Sequence, residues 1–220
     1  MTSIMKKKMK YIAGMLVVSM CAMTSCSDDF LQTDSPNQPS QSTYWQTESD
    51  ALMALTACYD AMQSDHLYDD NVDGGGFGFL MRETSTDNGD HTWGAWMKGS
   101  TVSMCTSSTT DPRFSTYWNV NYEVIKRCNL LIENIDRITE MDAGKIASFK
   151  AEAIALRALM YCNLVSVFRD VPYLTKPLTL AEAQAPKNLR DEIVSSIIAD
   201  LKTHIPQLPS VGQAEIGRMT

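Results

Sequence analysis

Apolar residues recur at three- and four-residue intervals over four stretches of the chain, and between those stretches the pattern lapses. The longest, Ala143–Leu174, places Ile146, Phe149, Ala153, Leu156, Met160, Leu164 and Val167 at that spacing. Side chains three and four apart stack on one face of an α-helix, so the stretch predicts a helix with a continuous apolar stripe. A second stripe, Ala151, Ala155, Ala158 and Cys162, is uniformly small and lets a neighbouring helix come close. The helix is therefore predicted to be central and buried on two faces. Lys145, Lys150, Glu152 and Arg157 are predicted to occupy its remaining surface. Asp142 is the predicted N-cap, and Pro172 bars further helix and pushes Val171 towards an extended conformation.

Three further helices follow from the same reasoning. Over Gln46–Ser64, Thr47 and Asp50 match a capping box, Tyr44 and Trp45 can fold back as an apolar staple, and Leu52, Leu55, Tyr59 and Met62 share a face. Over Phe114–Ile138 the stripe runs through Val124 or Ile125, Cys128, Leu131 or Ile132, Ile135 and Ile138. Asn129 lies inside it and is expected to bond a nearby backbone turn, because an unpaired buried amide costs about 1–3 kcal/mol. Only Thr139–Ala143 separate this helix from the central one, which makes the two an antiparallel hairpin. The last helix, Leu189–His204, has Asn188 and Asp191 as its predicted cap and Ile193, Ile197, Leu201 and Ile205 as its buried line. The expected fold class is mainly α, built of tetratricopeptide-like antiparallel helix pairs.

Asp65–Asp111 breaks this regularity. It is rich in Gly, Ser, Thr, Asn and Asp, and irregular segments of that length tend to be functional or mobile. Phe77, Phe79, Trp93 and Trp96 stand in it among polar neighbours. Flat rings pack on the C–H faces of sugars, while Asn88 and His91 can hydrogen-bond hydroxyls, which is what a glycan site requires. The alternative is that these aromatics pin the loop to the helices. Asp69-x-Asn71-x-Asp73-Gly74 matches the first half of a calcium loop, but Leu80 takes the place of the closing glutamate, and Glu83 comes three residues late. Glu83 and Asp87 are two carboxylates of the kind glycoside hydrolysis uses; four apart in an exposed region, they read as solvated. No nucleophile–base set, metal cluster or phosphate loop occurs, so no cofactor is expected and the chain does not read as an enzyme.

The ends of the chain add targeting information. Lys6, Lys7, Lys8 and Lys10 precede an apolar run, Tyr11–Ala22, too short to span a bilayer but suited to a secretory signal. Thr24-Ser25-Cys26 resembles a lipoprotein signal-peptidase box, which would make Cys26 the acylated first residue after cleavage. The expected organisation is therefore a signal peptide over 1–25, a lipidated N-terminus and tether over 26–43, and a helical domain over 44–220. The whole chain carries a net charge of −7; without the leader, 15 Lys+Arg face 26 Asp+Glu, a balance of −11. Such a surface argues against nucleic acid as a partner. Export permits disulfides, yet Cys58, Cys128 and Cys162 sit in helical stripes where cysteine serves as a small buried hydrophobe, and Cys105 lies in the loop. Burial is the first reading, with a disulfide as the alternative.

The central string AEAIALRALMYCNLVSVFRDVP, with Glu152, Arg157, Tyr161, Asp170 and Pro172 at fixed offsets, resembles the core-helix signature of the SusD/RagB family. YWNVNYEVIKRCNLLIENID resembles a second family segment, with Trp118, Tyr122, Ile125, Asn129, Leu131 and Ile132 in place, and the acidic pair Asp28-Asp29 after Cys26 resembles a surface-export signal. One departure is Arg169, which stands where the family usually has glycine, so the helix exit is expected to be built differently. The resemblance implies a lipid-anchored protein on the surface of the outer membrane. It would capture a glycan for a SusC-like TonB-dependent transporter; a peptide ligand, or a scaffold that binds only the transporter, are the alternatives. Family members run to roughly twice this length, and a G-R-x-T string like Gly217–Thr220 introduces another helix in them. The resemblance thus implies an N-terminal portion of the family's fold.

Overall fold

Thr47 starts the first helix as the sequence predicts. Its hydroxyl accepts from the Asp50 amide while the Asp50 carboxylate accepts from the Thr47 amide at 2.7 Å, so donors left over at the helix start are satisfied on both sides. In this computed structural model, which describes residues 44–69, 77–89, 104–179, 182 and 184–220, that helix is α1 (Glu48–Met62). Trp45, just before it, is buried, as a staple requires. Two short helices follow, α2 (Asp65–Tyr68) and α3 (Phe79–Thr84), then the long α4 (Pro112–Asn134), extended by a 3-10 turn to Arg137. Next come α5 (Ala143–Phe168) and α6 (Arg190–His204).

The described residues form helices and one isolated bridge, Val171 with Asn188. α4 and α5 pack along one another as the antiparallel hairpin the short connection demands; α1 and α2 lie on α4, and α6 lies on α5. Trp45–Thr220 is one compact unit. The core is the α4–α5 seam: Val124, Ile125, Cys128 and Leu131 meet Phe149, Ala153, Leu156, Met160 and Leu164, all buried. α5 is long and apolar enough to cross a membrane, but 67% of its most apolar window is buried within the fold, as in the core helix of a soluble domain.

Several expectations are overturned. Glu152 and Arg157 do not face solvent: Glu152 is fully buried and Arg157 is 6% exposed. Periodicity put them off the apolar stripe, but other segments cover that side. Glu152 accepts from the Tyr59 hydroxyl at 2.7 Å and from both Nε and Nη2 of Arg218, whose guanidinium also lies 4.7 Å over the Phe149 ring. Burial holds the Tyr59 hydroxyl far above the ordinary phenol range, so it remains a donor. Arg157 donates to Asn129 Oδ1 at 2.8 Å, to the Thr175 carbonyl at 3.2 Å and to Asp200 at 3.1 Å. Asn129 bonds backbone, as expected, but from a segment 45 residues on: it donates to the Leu174 carbonyl at 3.0 Å and to the Lys176 carbonyl at 3.4 Å. Tyr161 completes the grip, its hydroxyl donating to the Leu174 carbonyl and accepting from the Leu174 amide at 2.6 Å.

The helix ends and faces differ in detail as well. Asp142 caps α5 as predicted, accepting from the Lys145 amide. Asn188 does not cap α6; it accepts from the Tyr173 amide, and Asp170, from 20 residues away, accepts from the Arg190 amide at 3.1 Å. On α6, Ile193 and Ile197 are buried but Ile205 is exposed. The inner face of α1 is Ala51, Leu55 and Cys58, with Leu52 turned outward, because small residues allow the close approach to α4. Cys162 is exposed rather than buried. At Arg169 the backbone takes φ 66°, ψ −81°, with the Asp170 amide bonded to the Phe168 carbonyl at 2.9 Å. That is a γ-turn of the strained kind, which glycine tolerates best. The chain thus keeps a positive-φ exit without the residue suited to it.

Candidate functional site

The irregular segment begins with α2, includes α3 and ends at Asp111, and several of its described residues are tied into the core. Asp111 caps α4 through the Arg113 amide at 3.0 Å and pairs with the Arg113 guanidinium, whose hydrogen bond holds the Asp111 carboxyl below the usual carboxylate range. Phe77 is buried, its ring 4.6 Å from that of Tyr117 and 5.6 Å from that of Phe114. Of the two readings for the loop aromatics, Phe77 takes the pinning role.

Arg82 on α3 organises the site. Its Nε donates to the Phe77 carbonyl at 3.0 Å and its Nη2 to the Tyr117 hydroxyl at 3.0 Å, while its guanidinium stands 5.9 Å from the centre of the Tyr68 ring. Burial pushes the Tyr117 hydroxyl up to about 12 against the opposing pull of Arg82. Asn163 of α5 donates to the Tyr68 hydroxyl at 2.9 Å and to Asn121 Oδ1 at 3.2 Å, and Asn121 in turn donates to the Tyr117 carbonyl. A line of amides and hydroxyls therefore runs from the α4–α5 seam to the surface at Tyr68, which is 43% exposed.

The chemistry available there is recognition. A flat ring held at the surface beside a guanidinium can stack on an apolar face. The Asn163 amide, both of whose hydrogens are engaged by Tyr68 and Asn121, holds that ring in place rather than offering donors to a ligand. Among the described residues no group of three or more His, Cys, Asp or Glu is placed to hold a metal ion. Asn88 is exposed, in a turn where its amide donates to Thr86 Oγ1 at 3.2 Å. Trp93, Trp96 and His91 lie outside the described residues, as do Asn71 and Asp73 of the half calcium motif and Cys26; Asp69 is exposed at the end of α2. Tyr68 and Arg82 escape the sequence reading because α2 and α3 are too short to show a period.

A SusD-like family model, described as "Starch-binding associating with outer membrane", matches residues 29–216. A SusD-like protein of Formosa agariphila is 27% identical over 202 residues, covering 89% of this chain and 37% of the relative. Among solved structures, a laminarin-binding SusD-like protein superposes with a TM-score of 0.65 at 29% identity, over 80% of this chain and 38% of that one. Surface glycan-binding protein A from Bacteroides thetaiotaomicron, solved with laminarihexaose, gives a TM-score of 0.61 at 22% identity, a likeness of fold, over 80% of this chain and 36% of that one. The chain thus spans well under half the length of these relatives.

Proposed function

Since the chain belongs to the SusD-like family, we propose that it is a glycan-capture protein of the outer-membrane surface, working with a TonB-dependent transporter of the SusC type. The family match over most of the chain carries this reading. It is supported by the exposed Tyr68, with Arg82 beside it and Asn163 holding it, and by the neighbouring structures that bind laminarin or laminarihexaose. Binding and hand-over need no bond chemistry, which accords with the absence of a nucleophile–base set in the sequence. Cys26 is the lipid attachment site in this proposal, residues 1–25 the leader and 26–43 the tether. Trp93, Trp96, His91 and Asn88 are the proposed ligand contacts.

Titration calorimetry of the full chain with laminarin, laminarihexaose and starch oligosaccharides tests the reading. Trp93→Ala and Trp96→Ala should each weaken binding by about 1–3 kcal/mol, the range of stacked aromatic hot spots, with little change in melting temperature. Equal affinity in the wild type and both variants would remove the tryptophans from the site. Failure of the chain to bind any glycan would overturn the capture reading.

A further inference from the structure

Arg82 carries a charge that nothing in the fold neutralises. Arg113, Arg127, Arg157 and Arg218 each pair with a carboxylate, whereas Arg82 makes no ion pair among the described residues. The acids on or beside its two short helices, Asp65, Asp69 and Glu83, form none with it either. Its hydrogen-bond acceptors are neutral: the Phe77 carbonyl and the Tyr117 hydroxyl, each at 3.0 Å. Burial pushes that hydroxyl up to about 12, so it stays a phenol and supplies no counter-charge. Nε and Nη2 thus fix the guanidinium, while Nη1 is directed at no acceptor within the fold and the side chain is exposed. We propose that Arg82 selects glycans bearing an oxyanion, a uronate carboxylate or a sulfate ester, which it meets beside the ring of Tyr68.

This selection presupposes glycan capture and names the class of glycan captured. A planar guanidinium matches the geometry of an oxyanion, and charge-assisted bonds are shorter and stronger than neutral ones. A sugar hydroxyl would also accept from Nη1, but only an anion cancels the charge. Arg82 is already held by two separate elements, Phe77 ahead of α3 and Tyr117 on α4, so little freedom is lost on binding. Tyr68, exposed and fixed through Asn163, presents its ring 5.9 Å from the guanidinium. One saccharide unit can therefore lay its C–H face on the tyrosine and its anionic substituent on Nη1. The charge of the whole molecule works the other way. At −7 it repels polyanions, so a preference for an acidic glycan has to come from a local cation.

Titration calorimetry of the full chain compares oligogalacturonides with the same oligomers after carboxyl reduction, and a sulfated oligosaccharide with its desulfated form. Each pair shares a backbone and differs in charge. In at least one pair the charged member should bind about tenfold tighter, and which pair it is distinguishes carboxylate from sulfate. Arg82→Gln should bring the charged member down to the affinity of the neutral one. An arginine that merely supports the fold would instead weaken both members alike and leave their ratio intact, which would overturn the proposal. Arg82→Lys, which keeps the charge but not the fork, should retain part of the preference. If Arg82→Gln fails to fold, the wild-type comparison still decides, since equal affinity within both pairs would overturn the proposal. Binding of laminarihexaose without binding of either charged member would overturn it too, and would leave the capture reading standing. Binding of no glycan, charged or neutral, would overturn both.

Discussion

Arg218→Met removes both guanidinium donors from a carboxylate that has no exposed surface. Glu152 would keep only the Tyr59 hydroxyl, at 2.7 Å. Leaving one member of a buried ion pair unpartnered costs about 3–5 kcal/mol. The Arg218 side chain is 18% exposed, so water can reach part of the vacated space, and the lower end of that range is expected. Glu152→Gln keeps the volume and the tyrosine bond but forfeits the charge-assisted bonds, costing about 1.5–3 kcal/mol. In the double variant no charge is stranded, so its cost should fall below the sum of the single ones by about 1–3 kcal/mol. Urea unfolding at pH 7 followed by circular dichroism, with coincident loss of tryptophan fluorescence as the two-state check, gives all three values. An Arg218→Met variant within 0.5 kcal/mol of wild type, or a cycle that simply adds, would refute the buried-clamp reasoning.

Two further outcomes follow from geometry at the helix ends. Arg169→Gly should raise stability by about 0.5–1 kcal/mol, because a Cβ penalty of about 1–2 kcal/mol at positive φ outweighs glycine's extra freedom in the unfolded chain; a lower melting temperature would show that the Arg169 side chain contributes more than its backbone costs. Asp111→Asn should cost about 1–2 kcal/mol at pH 7 through the weakened cap and ion pair. Arg113 depresses the folded-state Asp111 carboxyl, so its contribution is complete above the unfolded value of about 3.9 and fades as pH falls through the folded one. The gap between variant and wild type should therefore close below about pH 4, and a gap that persists unchanged at pH 2 would sink the assignment.

What the sequence disclosed was mainly local. Thr47 with Asp50, Asp142, and the period through Phe149, Leu156 and Leu164 act within a turn or two, and the structure repeats them. What it concealed depends on contacts between distant segments. The spacing of Glu152 assigns it to a side of α5 but cannot say that Arg218, 66 positions on, covers that side. Asn188 has the chemistry of a cap, yet Asp170 arrives first because the Val171–Asn188 bridge holds the two chains together. On α1 the true inner face is a fraction of a turn from the greasiest one, since Ala51 and Cys58 fit a close helix pair better than Leu52 does. The candidate site was legible only as a loop with aromatics; its organising residue, Arg82, is a lone cation on a six-residue helix.

The grip of Asn129, Arg157 and Tyr161 on residues 174–176 has a consequence for how this chain can drift. Those donors hold the carbonyls of Leu174, Thr175 and Lys176, groups that every amino acid possesses. The anchorage is therefore indifferent to the side chains it holds, and Thr175 and Lys176, both exposed, are free to vary. Length is another matter. Deleting one residue there would offset each carbonyl from its donor and strand polar groups in the core, whereas any identity at those positions leaves the bonds in register. Selection at this corner acts on spacing rather than on spelling.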